Sequence, residues 1–191
     1  MATPAELALM ETRKNAARSA TKFFEDIKGV RSTNNPFDFT TAAEGQTLAA
    51  NRVRIGNDNT IITAFDEAAQ SGIGNCDEKG RICYAALRSN PMIGAPGSHV
   101  SLVEAINYDH VFVVVANAQI AGAVNLNQIG LTAMIVDGWT QDWYFPNLGV
   151  FSAKWHGLGN TPNPRQAVVR SRISSHQFQS YGGVGNMVPD F

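Results

Sequence analysis

A chain of 191 residues is long enough to bury a full core in one domain and leaves no room for a second catalytic domain beside it. With 15 Lys and Arg against 16 Asp and Glu, the formal net charge is -1, so no global field selects nucleic acid or an anionic membrane surface. No window approaches ~18 consecutive apolar residues, and Met1-Ala2-Thr3-Pro4 lacks a basic segment followed by an apolar run, so neither a membrane anchor nor a Sec leader is expected.

Residues 5–28 place Leu7, Met10, Ala17, Ala20, Phe24 and Ile27 on one stripe, with Arg13, Lys14, Arg18 and Lys22 mostly elsewhere, which predicts an amphipathic helix. Residues 30–58, with Asn34-Asn35-Pro36 and Gly56-Asn57-Asp58-Asn59, read as loop with at most a short helix near 42–51. Residues 60–70 predict a second helix, broken by Ser71-Gly72-Ile73-Gly74. A third runs from Asn75 to about Ser89, with Cys76, Gly80, Cys83, Tyr84 and Leu87 on one side, and Asn90-Pro91 ends it. Gly inside a helix costs about 1 kcal/mol relative to Ala, so Gly80 marks a close approach to another backbone.

Beyond residue 98 the period changes to two. Residues 100–106, 110–116, 119–124 and 131–137 predict strands of an antiparallel meander with one helix-covered face, and 143–155 offers a further strand. Residues 157–191 carry Gly, Pro and Asn throughout, with a helix expected over 164–174 and a mobile end. The expected organisation is an N-terminal helical extension (1–58), a catalytic core (59–160) and a C-terminal tail (161–191), partly helical or mobile.

Cys76 and Cys83 are the only cysteines. On one helix they stand two turns apart, ~10 Å, too far for a disulfide, and two free thiols suit a reducing compartment such as the cytoplasm. Cys76 sits where a Gly-containing loop meets a helix start, so unpaired N–H groups and the positive end of the helix dipole favour a thiolate and can hold an oxyanion. Asp77 and Glu78 fall in the first turn, where acidic residues cap a helix or line a site. His110 opens a strongly apolar strand and faces the same way as Phe112, whereas Asp109 points away from its neighbour's ring. Asp137 ends a different apolar strand and, if the two strands are neighbours, accepts the Nδ1–H of His110 and fixes the tautomer facing the sulfur. Trp139 would cover the pair. Cys83 reads as an inert core thiol, and His156 stands as a reserve base. No Cys-x-x-Cys or His-x-x-x-His spacing sets up zinc, so no metal or other cofactor is expected.

Asn75-Cys76-Asp77-Glu78, then Asp109-His110-Val111-Phe112-Val113-Val114, then Val136-Asp137-Gly138-Trp139 resembles the papain-like and transglutaminase-like cysteine domains of bacterial toxins and secreted effectors, glutamine deamidases included. The resemblance spans roughly residues 60–147 at the level of motifs. It implies an α+β papain-like fold, a nucleophile helix packed on an antiparallel sheet, and the roles of nucleophile for Cys76, base and acid for His110, and orienter for Asp137. Gln70, six residues before Cys76, matches the spacing of the oxyanion-hole glutamine of papain-like proteases, with Asn75 the nearer rival; Glu78 and Trp139 would line the site. Many relatives carry Pro where this chain has Gly138.

The implied function is a thiol-dependent amide hydrolase acting on a protein substrate, delivered by a specialised secretion system into a host cytosol, with deamidation of a host glutamine as the leading reading. A peptidase, isopeptidase or transamidase shares the same three groups. An inactive protein-binding module of the same fold is a third reading, and a cell-wall amidase fits less well because its motif around the cysteine differs.

Overall fold

Helix α1 (Pro4–Asp26) starts with a reciprocal cap in the computed structural model: Glu6 Oε2 accepts the Thr3 N–H at 2.7 Å and Thr3 Oγ1 accepts the Glu6 N–H at 3.3 Å, with Pro4 at the first helical position. The structure describes residues 2–26, 30–34, 40–58, 61–93, 97–106, 110–148 and 167–172. Met10, Arg13, Ala17, Ala20 and Phe24 form the buried stripe of α1, and Leu7 stands exposed in its first turn. The stripe joins the same core as α4 and the sheet, so the segment expected as an extension closes the hydrophobic layer.

Helix α2 (Ala42–Asp58) is longer than the short helix expected within a loop. Its start carries another Thr-x-x-Glu box, with the Thr41 N–H donating to Glu44 Oε2 at 2.5 Å and the Glu44 N–H to Thr41 Oγ1 at 3.3 Å. Packing on α3 (Ile61–Ser71) and the Asn51 amide on Ser71 Oγ at 3.0 Å carry it past residue 51. Helix α4 (Cys76–Ser89) ends at Asn90 as expected and crosses the sheet. A Cβ at Gly80 would lie 3.1 Å from Val111 Cγ1 and 3.2 Å from Leu102 Cδ1, so the tight approach is to side chains rather than to the backbone expected, whose nearest atom, Val111 O, is at 3.6 Å.

The strands are β1 (His99–Ala105), β2 (Val111–Ala116), β3 (Val124–Asn125), β4 (Met134–Asp137), β5 (Asp142–Tyr144) and β6 (Val168–Ser171), ordered β3-β6-β1-β2-β4-β5 with every pair antiparallel. The fold class is α+β. Val111, Val113 and Val115 face the helices, whereas Phe112, Val114 and Ala116 face a second buried cluster with Ile120, Leu126 and Tyr144. Both faces of β2 are therefore covered, which is why its six residues are apolar without alternation.

Two expectations are corrected. Residues 119–123 are irregular and only Val124–Asn125 pair; this segment covers the second face, with the Ile120 N–H donating to Ser101 Oγ at 3.3 Å. The helix expected over 164–174 is, at Val168–Ser171, strand β6, recruited by the ladder to β1. Residues 149–166 and 173–191, including His156 and the glycine-rich end, lie outside the described residues. Among the described residues no helix is long and apolar enough to cross a membrane.

Arg13, expected on the polar face, is fully buried and ties α1 to the sheet. Its Nη1 donates to Thr132 O at 2.7 Å and Thr132 Oγ1 at 3.1 Å, and its Nη2 to Ser98 Oγ at 3.1 Å and Asn117 Oδ1 at 2.6 Å. Arg13→Ala leaves these acceptors buried beside a void, so a loss of about 2–4 kcal/mol is expected from urea unfolding, and a change below about 0.5 kcal/mol contradicts the anchoring role.

Candidate active site

The pairing of β2 with β4 sets Val113 opposite Val136 and Val114 opposite Ile135. Continued by the same register, Phe112 stands opposite Asp137 and His110 opposite Trp139, which brings the imidazole and the carboxylate to the same end of the sheet. His110 Nε2 lies 2.8 Å from Asp137 Oδ2. The pair forms through Nε2 where Nδ1 was expected, because the ring's rotation about its side-chain bonds decides which nitrogen reaches a diagonal neighbour. The Cys76 side chain is close enough to the ring to help raise its pKa.

Asp137 is fully buried. Its Oδ1 accepts the backbone N–H of Trp139 at 2.9 Å and of Thr140 at 3.4 Å, so the turn between β4 and β5 is wrapped around the carboxylate. Trp139 is half-buried and meets the imidazole edge-on, ring centroids 5.5 Å apart and planes at 67°. Its Nε1–H donates to Asn34 Oδ1 at 3.0 Å, which holds the indole over the ring. Gly138 explains its own identity: a Cβ there would stand 2.8 Å from the Lys79 carbonyl oxygen and 3.0 Å from Cys83 Sγ. Alanine and proline alike carry that atom.

Cys76 is the first residue of α4 and nine-tenths buried. The loop feeding it is held by residues 30–34: the Arg31 N–H donates to Gly72 O at 2.9 Å, the Gly74 N–H to Arg31 O at 2.9 Å, and Ser32 Oγ to Gly74 O at 2.8 Å. Asn75 Oδ1 accepts the Thr33 N–H at 2.9 Å and its hydroxyl at 3.1 Å, which fixes the Asn75 amide beside the sulfur's residue. Glu78 proves to be a capping group, its Oε2 accepting the Asn75 N–H at 2.8 Å. Arg52 neutralises that buried carboxylate, with Nε at 2.8 Å from Oε1 and Nη2 at 3.3 Å from Oε2. Asp77 is engaged by Arg81 at 3.2 Å and by Arg172 at 3.1 Å, so it secures the helix start to the strand-β6 side.

Burial alone would lower the His110 pKa; the Asp137 charge and hydrogen bond, followed by Cys76, outweigh it and raise the ring to about 10. The imidazolium is thus the stable form beside this carboxylate at neutral pH. Burial, reinforced by Asp137, pushes the Cys83 thiol far up, which fits an inert core residue. A sulfur, an imidazolium and a carboxylate in series form a chain along which a proton can be held or released.

Compared with family models, curated proteins and solved structures, the chain matches none. The site is therefore described by its own geometry. Gln70 stands exposed in the last turn of α3 and makes no hydrogen bond among the described residues. Asp109 and His156 lie outside the described residues. Arg52, Asn34 and Thr33 were missed in the sequence, since each acts through a partner at least 26 positions away and none belongs to a periodic motif. Among the described residues no three His, Cys, Asp or Glu side chains converge as a metal cage.

Gly138→Ala is expected to lose about 1–3 kcal/mol in urea unfolding, because backbone of α4 must move to admit the methyl; a neutral result contradicts the close approach. His110 supplies a pH test. Its folded pKa lies above the unfolded value of 6.5, so its contribution is complete below pH 6.5 and is lost as pH rises through about 10. The stability difference between wild type and His110→Gln should shrink over that window, and a difference independent of pH would contradict the pairing with Asp137.

Proposed function

We propose that the protein is a thiol-dependent amide hydrolase of papain-like arrangement, with Cys76 as nucleophile, His110 as base and acid, and Asp137 as orienter. What supports this reading is the His110 ring, 2.8 Å from Asp137 Oδ2 and close enough to the Cys76 side chain for that group to influence its pKa, the three groups coming from three separate elements. Structural ion pairs seldom include a cysteine at a helix start, whereas nucleophilic catalysis needs the thiol, the ring and the orienter in this order.

Attack of the Cys76 thiolate on a carboxamide carbon places negative charge on the amide oxygen, which the N–H groups at the start of α4 are placed to hold. The Asn75 amide, held through its oxygen by Thr33, is the side-chain donor proposed beside them. Collapse expels the amine with a proton from the His110 imidazolium, leaving a thioester on Cys76. Water, deprotonated by the now neutral ring, cleaves the thioester to a carboxylate and restores the thiol. For a glutamine side chain the balance is carboxamide plus water to carboxylate plus ammonium.

The substrate assignment, a glutamine of a host protein met after delivery as a secreted bacterial effector or toxin, rests on the motif resemblance. Intact-mass analysis of candidate target proteins incubated with the full chain tests it. Deamidation adds about one mass unit per event without chain cleavage, and Cys76→Ser should lower the rate at least ~10³-fold while the fold persists. Cleavage fragments in place of the mass gain would convert the reading to a peptidase; a mass gain retained by Cys76→Ser would end it.

A further inference from the structure

At the end of the sheet opposite the triad, a cavity of about 310 Å³ opens between the C-terminal turn of α4 and the start of β1. His99 pairs with Ala116 there, the length of β2 away from His110, roughly 20 Å along the strand. Arg88, Ser98, His99 and Gln119 supply its polar wall, with the buried Leu87 and Ile93 beneath. No acidic residue is among the described residues that line it.

Behind this wall stands the Arg13 guanidinium, fully buried, with its Nε lacking a hydrogen-bond partner and no carboxylate within ion-pair distance among the described residues. All four of its hydrogen bonds go to neutral oxygens. A buried charge without a counter-charge is costly, and the commonest remedy is an opposite charge nearby. Ser98 connects the two features. Its Oγ accepts from Arg13 Nη2 at 3.1 Å, so its own hydrogen is left to donate into the cavity it lines. The carbonyl end of α4 on the same wall is offset by Arg88 in its last turn.

We propose that this cavity binds a small molecule with an oxyanion head, held by Ser98, Arg88 and His99 in front of the buried Arg13. The volume suits a molecule of roughly ten heavy atoms rather than a peptide. A phosphate monoester and a carboxylate share the required head. Neither the site nor its test depends on the triad's chemistry, since the two ends of the strands are separated by an apolar run.

Titration of the full chain with inorganic phosphate, phenyl phosphate and benzoate, each at matched ionic strength in chloride, reads the site by melting temperature and by amide shifts at Ser98, His99 and Gln119. A saturable response is expected, weakened about tenfold in Arg88→Gln and in His99→Gln. Response to phenyl phosphate alone assigns the head as phosphate, and response to benzoate alone assigns it as carboxylate; either supports the site. No saturable response above chloride to any of the three, or a response undiminished in both variants, overturns it.

Discussion

A carboxylate cut off from solvent stays ionised only when donors meet its lone pairs, and Asp137 meets that constraint with two backbone N–H groups and the His110 ring. Much of the local architecture follows from it. The turn between β4 and β5 must fold back so that Trp139 and Thr140 aim their amides at Oδ1, and it does so with Gln141 in the left-handed region at a φ of 55°. That conformation costs about 1 kcal/mol for a residue with a Cβ, less than the cost of an unsatisfied buried carboxylate. Trp139 is carried over the imidazole by the same turn.

The sulfur's position depends on close packing rather than on long side chains. Helix α4 lies near enough to β2 that Gly80 faces Val111, and near enough to the β4–β5 turn that Gly138 touches the Lys79 backbone. Two glycines thus set the height of the helix over the strand end where His110 emerges. The Glu78–Arg52 pair fixes the remaining freedom, the angle of the first turn, by tying Asn75 to α2. A burial-driven core alone would tolerate shifts of an ångström that hydrogen bonds to the ring would not.

How much of this was legible in the sequence differs by residue type. The helices at 4–26 and 76–89 and the strands at 99–105 and 111–116 follow from periodicity, and the meeting of His110 with Asp137 follows from two apolar strands that each end in a polar residue. The nitrogen that makes the contact did not follow, because ring rotation is decided by neighbours. Arg13 lies on the stripe of Met10, Ala17 and Phe24 by spacing, yet its charge assigned it to solvent; only the Thr132, Ser98 and Asn117 oxygens, over 80 positions away, explain its burial. Helix α2 was hidden by the Asn34-Asn35-Pro36 cluster before it and the Gly56-Asn57-Asp58 cluster at its end, although Thr41 and Glu44 announce its start. Strand β6 is four residues whose conformation comes from the ladder to β1, a tertiary effect that composition around it masks.

Two buried charges, Arg13 and Asp137, therefore mark opposite ends of the same central strands, one positive and one negative. Thr132, which receives Arg13, and Asp137 are five residues apart in β4 and its approach, ~17 Å in extended chain, and at an effective dielectric constant of about 20 their attraction amounts to ~1 kcal/mol. That is too little to offset the burial of either. Each end must be satisfied by its own neighbours, and the remedies differ: Asp137 has a titratable ring and a backbone turn, whereas Arg13 has only neutral oxygens. The acidic end is complete within the chain. The basic end has only neutral partners and stands behind the wall of a cavity, an asymmetry that the proposed anion site would resolve.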